Sequence, residues 1–137
     1  MTSRFEGCAI DCADPAMLSQ FWAAALGYSV LEERDDLVEI GPGGGTDEGY
    51  LAALRSGPVA PSLVFVRVPE PKSGKNRLHF DISPIDDDQD GEVSRLESLG
   101  ARATDLAPAG ASWVVMIDPE GNEFCVVRSL APGHFSL

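Results

Sequence analysis

The residues best suited to chemistry alternate with apolar ones along the segment 77–82. The polar positions are Arg77, His79 and Asp81, and the apolar positions are Leu78, Phe80 and Ile82. A two-residue period is typical of a half-buried strand, so we expect the polar face to be free for a ligand. An imidazole can act there as acid, base or hydrogen-bond donor, which makes His79 the candidate catalytic residue. The alternative is an ordinary polar strand face on which Asp81 holds the histidine.

Two further candidates lie near the end of the chain, in the predicted strand 122–128. Glu123 and Cys125 are two positions apart and therefore share a strand face. Together with His79 they offer the nitrogen, sulfur and oxygen ligands that tetrahedral zinc accepts. These residues lack a short ligand pair, so we expect no metal; if a divalent metal is bound, these three residues are its ligands. Cys8 and Cys12 are predicted to be buried thiols under the first helix.

Basic residues are concentrated in one part of the chain. Five of the ten lie between positions 55 and 77, namely Arg55, Arg67, Lys72, Lys75 and Arg77. Such a group could bind a carboxylate or another anion, and Arg77 offers a bidentate guanidinium. Alternatively these charges neutralise the acidic run 81–92, an interpretation that we favour for Lys72 and Lys75. The predicted ligand-binding set is Arg77, His79, Asp81, Trp113, Glu123 and Cys125.

Two helices and several strands must position these residues. The first helix spans 14–26, with Asp14 as N-cap, Pro15 at the first turn and Gly27 as stop. The second begins in the acidic run 86–90 and ends at Gly100. The predicted strands are 5–11, 28–33, 37–40, 50–54, 62–68, 77–82, 101–104, 112–117 and 122–128.

Aligned at their helix stops, the two halves repeat one order, strand, helix and then several strands. We therefore predict an α+β protein of two paired βαβββ modules that form a curved, cup-shaped mixed sheet with the helices outside. The whole chain, 1–137, forms a single domain. It comprises module one (3–68), a linker (69–76), module two (77–130) and a C-terminal tail (131–137).

Three segments in this order resemble the glyoxalase/bleomycin resistance/dioxygenase superfamily, the vicinal oxygen chelate proteins, and its glyoxalase-like branch in particular. They are the stretch from Asp11 to Gly27, the stretch from Pro69 to Asp81, and the turn from Asp118 to Phe124. The resemblance covers nearly the whole chain. It implies a ligand site inside the cup and a homodimer.

In metal-dependent members of this superfamily, four ligands come from matching places in the two modules. The resemblance puts the first on Gly7, the second near Phe65 or Val66, the third on His79 and the fourth on Cys125 in place of a glutamate. Glycine, phenylalanine and valine offer no metal ligand. The usual metal set is therefore broken.

Net charge and composition narrow the function further. The formal charge of −12 disfavours nucleic acid and anionic membrane as partners. The N-terminal residues lack the apolar core of a signal peptide and three cysteines cannot all pair, so we expect a cytoplasmic protein. The expected function is binding of a small anionic or hydrophobic molecule without the usual metals. The alternatives are a metal-dependent lyase, isomerase or dioxygenase, and a non-catalytic interaction module.

Overall fold

The computed structural model describes residues 2–43 and 45–134, which divide into two compact units. The first unit ends at Pro71 and the second begins at Lys72, inside the predicted linker. Of the predicted tail 131–137, the last three residues lie outside the described part of the chain. In the described residues, no helix has both the length and the apolar character needed to cross a membrane.

The first unit is a four-stranded mixed sheet with two helices. Its elements are β1 (Gly7–Cys12), α1 (Pro15–Leu26), β2 (Ser29–Arg34), β3 (Leu37–Gly41), α2 (Asp47–Ser56) and β4 (Ser62–Arg67). The strand order is β1-β4-β3-β2, with β1 parallel to β4 and the other pairs antiparallel. The edge strands of this sheet are therefore β1 and β2.

Helix α1 begins and ends where the sequence predicts. The carboxylate of Asp14 accepts the backbone N–H of Met17 at 3.1 Å, and Gly27 ends the helix with a φ of 68°. The helix packs against β3 and β4 and buries Leu18, Phe21 and Trp22. These side chains form the part of the first unit's core that lies between the helix and the sheet.

The second unit repeats the same strand order with one helix. Its elements are β5 (Asp81–Ile82), α3 (Gln89–Leu99), β6 (Arg102–Ala103), β7 (Val114–Ile117) and β8 (Glu123–Val126), ordered β5-β8-β7-β6 in the sheet. Leu96 of α3 and the sheet residues Met116, Phe124 and Val126 are buried together as its core. The predicted α+β repeat of two βαβββ modules is therefore confirmed.

One predicted strand, 50–54, is wrong, because these residues lie inside helix α2. The hydroxyl of Thr46 caps the helix by accepting the N–H of Gly49 at 3.1 Å. Asp47 and Glu48 occupy the first turn and Arg55 the last, as the helix dipole favours. The capping pattern thus prevails over the short apolar run, and module one carries an additional helix between β3 and β4.

The predicted strand 77–82 is correct only at its end. Strand pairing begins at Asp81, and the segment before it bends instead of joining the sheet. Leu78 is 89% exposed, so its predicted place on a buried apolar face is wrong. The segment preceding β5 therefore carries side chains on the surface instead of completing a buried strand.

Candidate functional site

The candidate site is built where β5 runs parallel to β8. Asp81 is level with Cys125 in this pair, and the backbone N–H of Cys125 donates to the carbonyl of Phe80 at 2.8 Å. Residues at the same level of neighbouring strands point to the same face of a sheet. The ladder therefore places the Asp81 carboxylate beside the Cys125 thiol.

His79 completes a cluster with these two residues. One potential ligand atom from each of His79, Asp81 and Cys125 lies within 4.8 Å of the other two. His79 and Asp81 are exposed, whereas Cys125 is buried. We call these three residues the His79 cluster. Its imidazole and carboxylate can be reached from solvent, while the thiol forms its floor.

The thiol of Cys125 is held in its protonated form. Burial is the main cause that raises its pKa, and the negative charge and hydrogen bond of Asp81 raise it further, while Lys75 acts in the opposite direction. The thiol therefore carries its proton beside the Asp81 carboxylate. A thiol in this state is a hydrogen-bond donor and a weak nucleophile, because thiolate is the reactive form.

Glu123, one of the predicted site residues, is occupied elsewhere. Its carboxylate accepts the ammonium of Lys72 at 3.1 Å and the backbone N–H of Asn76 at 2.9 Å. Burial by itself raises the pKa of Glu123, but these donors outweigh that effect and the net pKa is lowered. Glu123 thus fastens the segment before β5 to β8 and does not belong to the His79 cluster.

The remaining predicted residues lie around the cluster. Arg77 is exposed and lines a groove of about 360 Å3 together with Lys75 and Asn76. Trp113 is 39% exposed and directly precedes β7, whose residue Val115 pairs with Cys125. Arg77 therefore precedes the cluster along the chain and Trp113 precedes the neighbouring strand, and neither belongs to the group of converging atoms.

The positions implied for metal ligands in the first unit are closed to such a role. A Cβ atom at Gly7 would lie 2.7 Å from the Oγ of Ser62 and 2.8 Å from its carbonyl oxygen. Phe65 is fully buried, and its neighbour Val66 has an aliphatic side chain. The four-ligand set implied by the resemblance does not fit these residues.

The structure adds two points to the predicted site. Asp81, a predicted ligand-binding residue, takes the place of Glu123 in the group of possible metal ligands with His79 and Cys125. Lys75, for which the sequence favours charge neutralisation, acts electrostatically on the Cys125 thiol. The position of Lys75 depends on the path of the segment before β5, which the long-range bonds of Glu123 hold in place.

The comparison with known proteins agrees with this architecture. A family model described as Glyoxalase-like domain matches residues 7–127, which is most of the chain. The chain therefore belongs to the glyoxalase-like domain family, and the resemblance to the vicinal oxygen chelate superfamily is confirmed. A search of curated protein sequences gives no significant match.

Solved structures of low sequence identity share the fold. A glyoxalase/bleomycin resistance protein/dioxygenase family enzyme from Burkholderia phytofirmans has a TM-score of 0.59 at 16% identity, with 90% of this chain and 97% of that chain covered. A fosfomycin resistance protein from Mesorhizobium loti has a TM-score of 0.64 at 11% identity, with 93% and 92% covered. Glyoxalase I from Leishmania major has a TM-score of 0.61 at 16% identity, with 94% and 88% covered.

Proposed function

We propose that this protein binds a small organic molecule at the His79 cluster, without the four-ligand metal centre of its metal-dependent relatives. The observation that carries the proposal is the convergence of His79, Asp81 and Cys125 within 4.8 Å at a partly exposed place. Together they present an imidazole, a carboxylate and a protonated thiol to one bound molecule. Small-molecule sites commonly combine a few such convergent polar groups with apolar surroundings.

The state of His79 supports a role in binding. Within residues 2–43 and 45–134, its imidazole forms no hydrogen bond or ion pair. The alternative, in which Asp81 holds the histidine, predicts a hydrogen bond between the two side chains, and the described residues contain none. An imidazole with both nitrogens available can donate to a ligand and accept from it.

The first test is a ligand screen by thermal shift on protein stripped with EDTA. A bound metabolite raises the melting temperature of wild type, by an amount that grows with the logarithm of its concentration relative to Kd. We expect that shift to fall by at least half in His79→Ala and to survive in His134→Ala. The second variant is the matched control, because His134 is exposed and is the other histidine of the chain.

Three results would count against the proposal. A shift that survives His79→Ala would put the ligand elsewhere. A shift that requires added metal after EDTA treatment would contradict metal-free binding. The absence of any hit in a broad screen would favour the interaction-module alternative.

A metal-dependent function is the second candidate, and one observation favours it. Although the four-ligand set does not fit, the His79 cluster alone offers nitrogen, oxygen and sulfur donors, which suit zinc. Three protein ligands would leave one tetrahedral position for a substrate or water. Zinc held by these three residues would act as a Lewis acid on the substrate.

Cobalt(II) titration separates the two candidates. A cobalt–thiolate bond produces a near-ultraviolet charge-transfer band, which wild type would show and Cys125→Ser would lose. Cys8→Ser is the matched control, because Cys8 lies in the other unit. No saturable band at one equivalent of cobalt would eliminate the metal candidate and leave metal-free binding.

A further inference from the structure

Two cations beside the His79 cluster have no anionic partner. Lys75 and Arg77 are exposed, and within the described residues neither forms a hydrogen bond or an ion pair. Lys72, in the same segment, is by contrast paired with Glu123. Acidic residues outnumber basic ones by 22 to 10 in this chain, so unpaired neighbouring cations stand out against the average charge.

The segment that carries the two cations is fixed in place. Asn76 lies between them and donates its backbone N–H to Glu123 at 2.9 Å. Its side-chain amide donates to the Oδ1 of Asn122 at 3.1 Å. These bonds hold the backbone between Lys75 and Arg77, which reduces the entropy lost when a ligand is bound.

The cations also line one open groove on the surface. Lys75, Asn76 and Arg77 line the groove of about 360 Å3, which is large enough for a small organic molecule. His79 follows Arg77 by two positions, which a backbone spans in about 7 Å at most. A small organic molecule held at Arg77 is therefore long enough to reach His79.

We propose that the ligand is a small organic oxyanion, a carboxylate or phosphonate, whose anionic group lies between Lys75 and Arg77. A guanidinium fork and an ammonium match two oxygens of such a group. The rest of the molecule extends to the His79 cluster, where the Asp81 carboxylate repels a second negative charge and accepts a hydrogen bond. The ligand is thus anionic at one end and neutral, with a donor, at the other. This inference rests on the proposed binding function.

Paired probes test the charge requirement in the intact protein. Benzoate, phenylacetate and phenylphosphonate are each compared with an uncharged amide or ester of the same shape, by amide chemical shifts at constant ionic strength. We expect the anion of each pair to bind about tenfold more tightly, as two partly exposed ion pairs together allow. Shifts should appear at Lys75, Arg77 and the His79 cluster, and affinity should fall as NaCl rises.

Matched variants locate the source of any preference. The double variant Lys75→Gln/Arg77→Gln should abolish the preference for the anion. Arg55→Gln/Arg102→Gln removes the same charge from exposed positions elsewhere and should preserve it.

The outcomes distinguish this inference from the proposed function. Equal binding of charged and uncharged probes, with shifts at His79, would overturn the oxyanion class and leave the binding function standing. Charge-dependent shifts confined to Lys75, Asn76 and Arg77 would contradict the binding function at the cluster. No shift with any probe, or a preference that survives in Lys75→Gln/Arg77→Gln, would overturn the inference.

Discussion

Gly7 and His79 stand at corresponding places near the start of the two modules, yet their surroundings allow opposite roles. At Gly7 the neighbouring strand approaches so closely that the carbonyl oxygen of Ser62 would lie 2.8 Å from a Cβ atom. Around His79 the backbone leaves the sheet, and the imidazole is exposed. Module two can therefore offer a polar side chain where module one cannot.

Replacement of Gly7 tests this close approach. We expect Gly7→Ala to lower the free energy of unfolding by about 1–3 kcal/mol, because the backbone of Ser62 cannot move away as a flexible side chain would. Urea unfolding measures the change. Gly57→Ala is the control: Gly57 is extended and has open space around it, so alanine should be neutral or stabilising by up to about 1 kcal/mol. Equal stability of wild type and Gly7→Ala would show that this strand accepts a side chain.

The carboxylate of Glu123 makes stability depend on pH. Its pKa is lowered in the folded state, so its contribution is present above the ordinary glutamate pKa of about 4.3 and is lost as pH falls through the lower folded value. Glu123→Gln should therefore cost about 1–2 kcal/mol at pH 7 and progressively less as the pH falls below about 4. Urea unfolding from pH 3 to pH 7 measures this difference.

An exposed carboxylate provides the comparison for Glu123. Glu97→Gln on α3 should change the unfolding free energy by less than about 0.5 kcal/mol throughout the same pH range. A cost for Glu123→Gln that stays constant with pH would mean that shape, and not charge, holds the segment to β8.

At the scale of elements, the sequence predicts best where capping and periodicity agree. Helix α1 combines an N-cap, a proline, an apolar stripe and a glycine stop, and its bounds are correct within a residue. Segment 50–54 is too short for its apolar period to indicate a helix, and the signal for α2 is its N-cap at Thr46. Polar and apolar residues do alternate in 77–82, but the path of that backbone depends on Glu123, which is 40 or more positions away and binds the neighbouring Asn76. Long-range contacts of this kind leave no local pattern.

Two leucines of α2 test how that helix is held. Leu54 is 7% exposed and Leu51 is 56% exposed, so the same substitution probes two faces of one helix. Leu54→Ala should lower the free energy of unfolding by about 2–4 kcal/mol, since it leaves a cavity. Leu51→Ala should change it by less than about 0.5 kcal/mol. Equal effects in urea unfolding would show that α2 does not pack through its Leu54 face.

Over the whole molecule, negative charge is concentrated around the start of α3. The segment 81–92 contains six carboxylates and no basic residue. The helix itself accommodates part of this charge, since Asp88 caps its N-terminus and Glu92 pairs with Arg95. Among the described salt bridges, the basic residues near the linker make none with this segment, and Lys72 pairs with Glu123 instead.

The excess of negative charge should make the folded protein sensitive to salt. A net charge of −12 repels itself more strongly in the compact state than in the unfolded chain, and added ions screen that repulsion. The free energy of unfolding should therefore rise between 10 and 200 mM NaCl, by roughly 1 kcal/mol.

Two variants separate this repulsion from a local effect. Asp86 is exposed within the acidic segment, so Asp86→Asn should be more stable than wild type at 10 mM NaCl and equally stable at 200 mM. Asp88→Ala should instead cost about 1 kcal/mol at both salt concentrations, because it removes the N-cap of α3. Urea unfolding of the three proteins at both concentrations decides the matter, and stability that falls with salt would mean that ion pairs outweigh the repulsion.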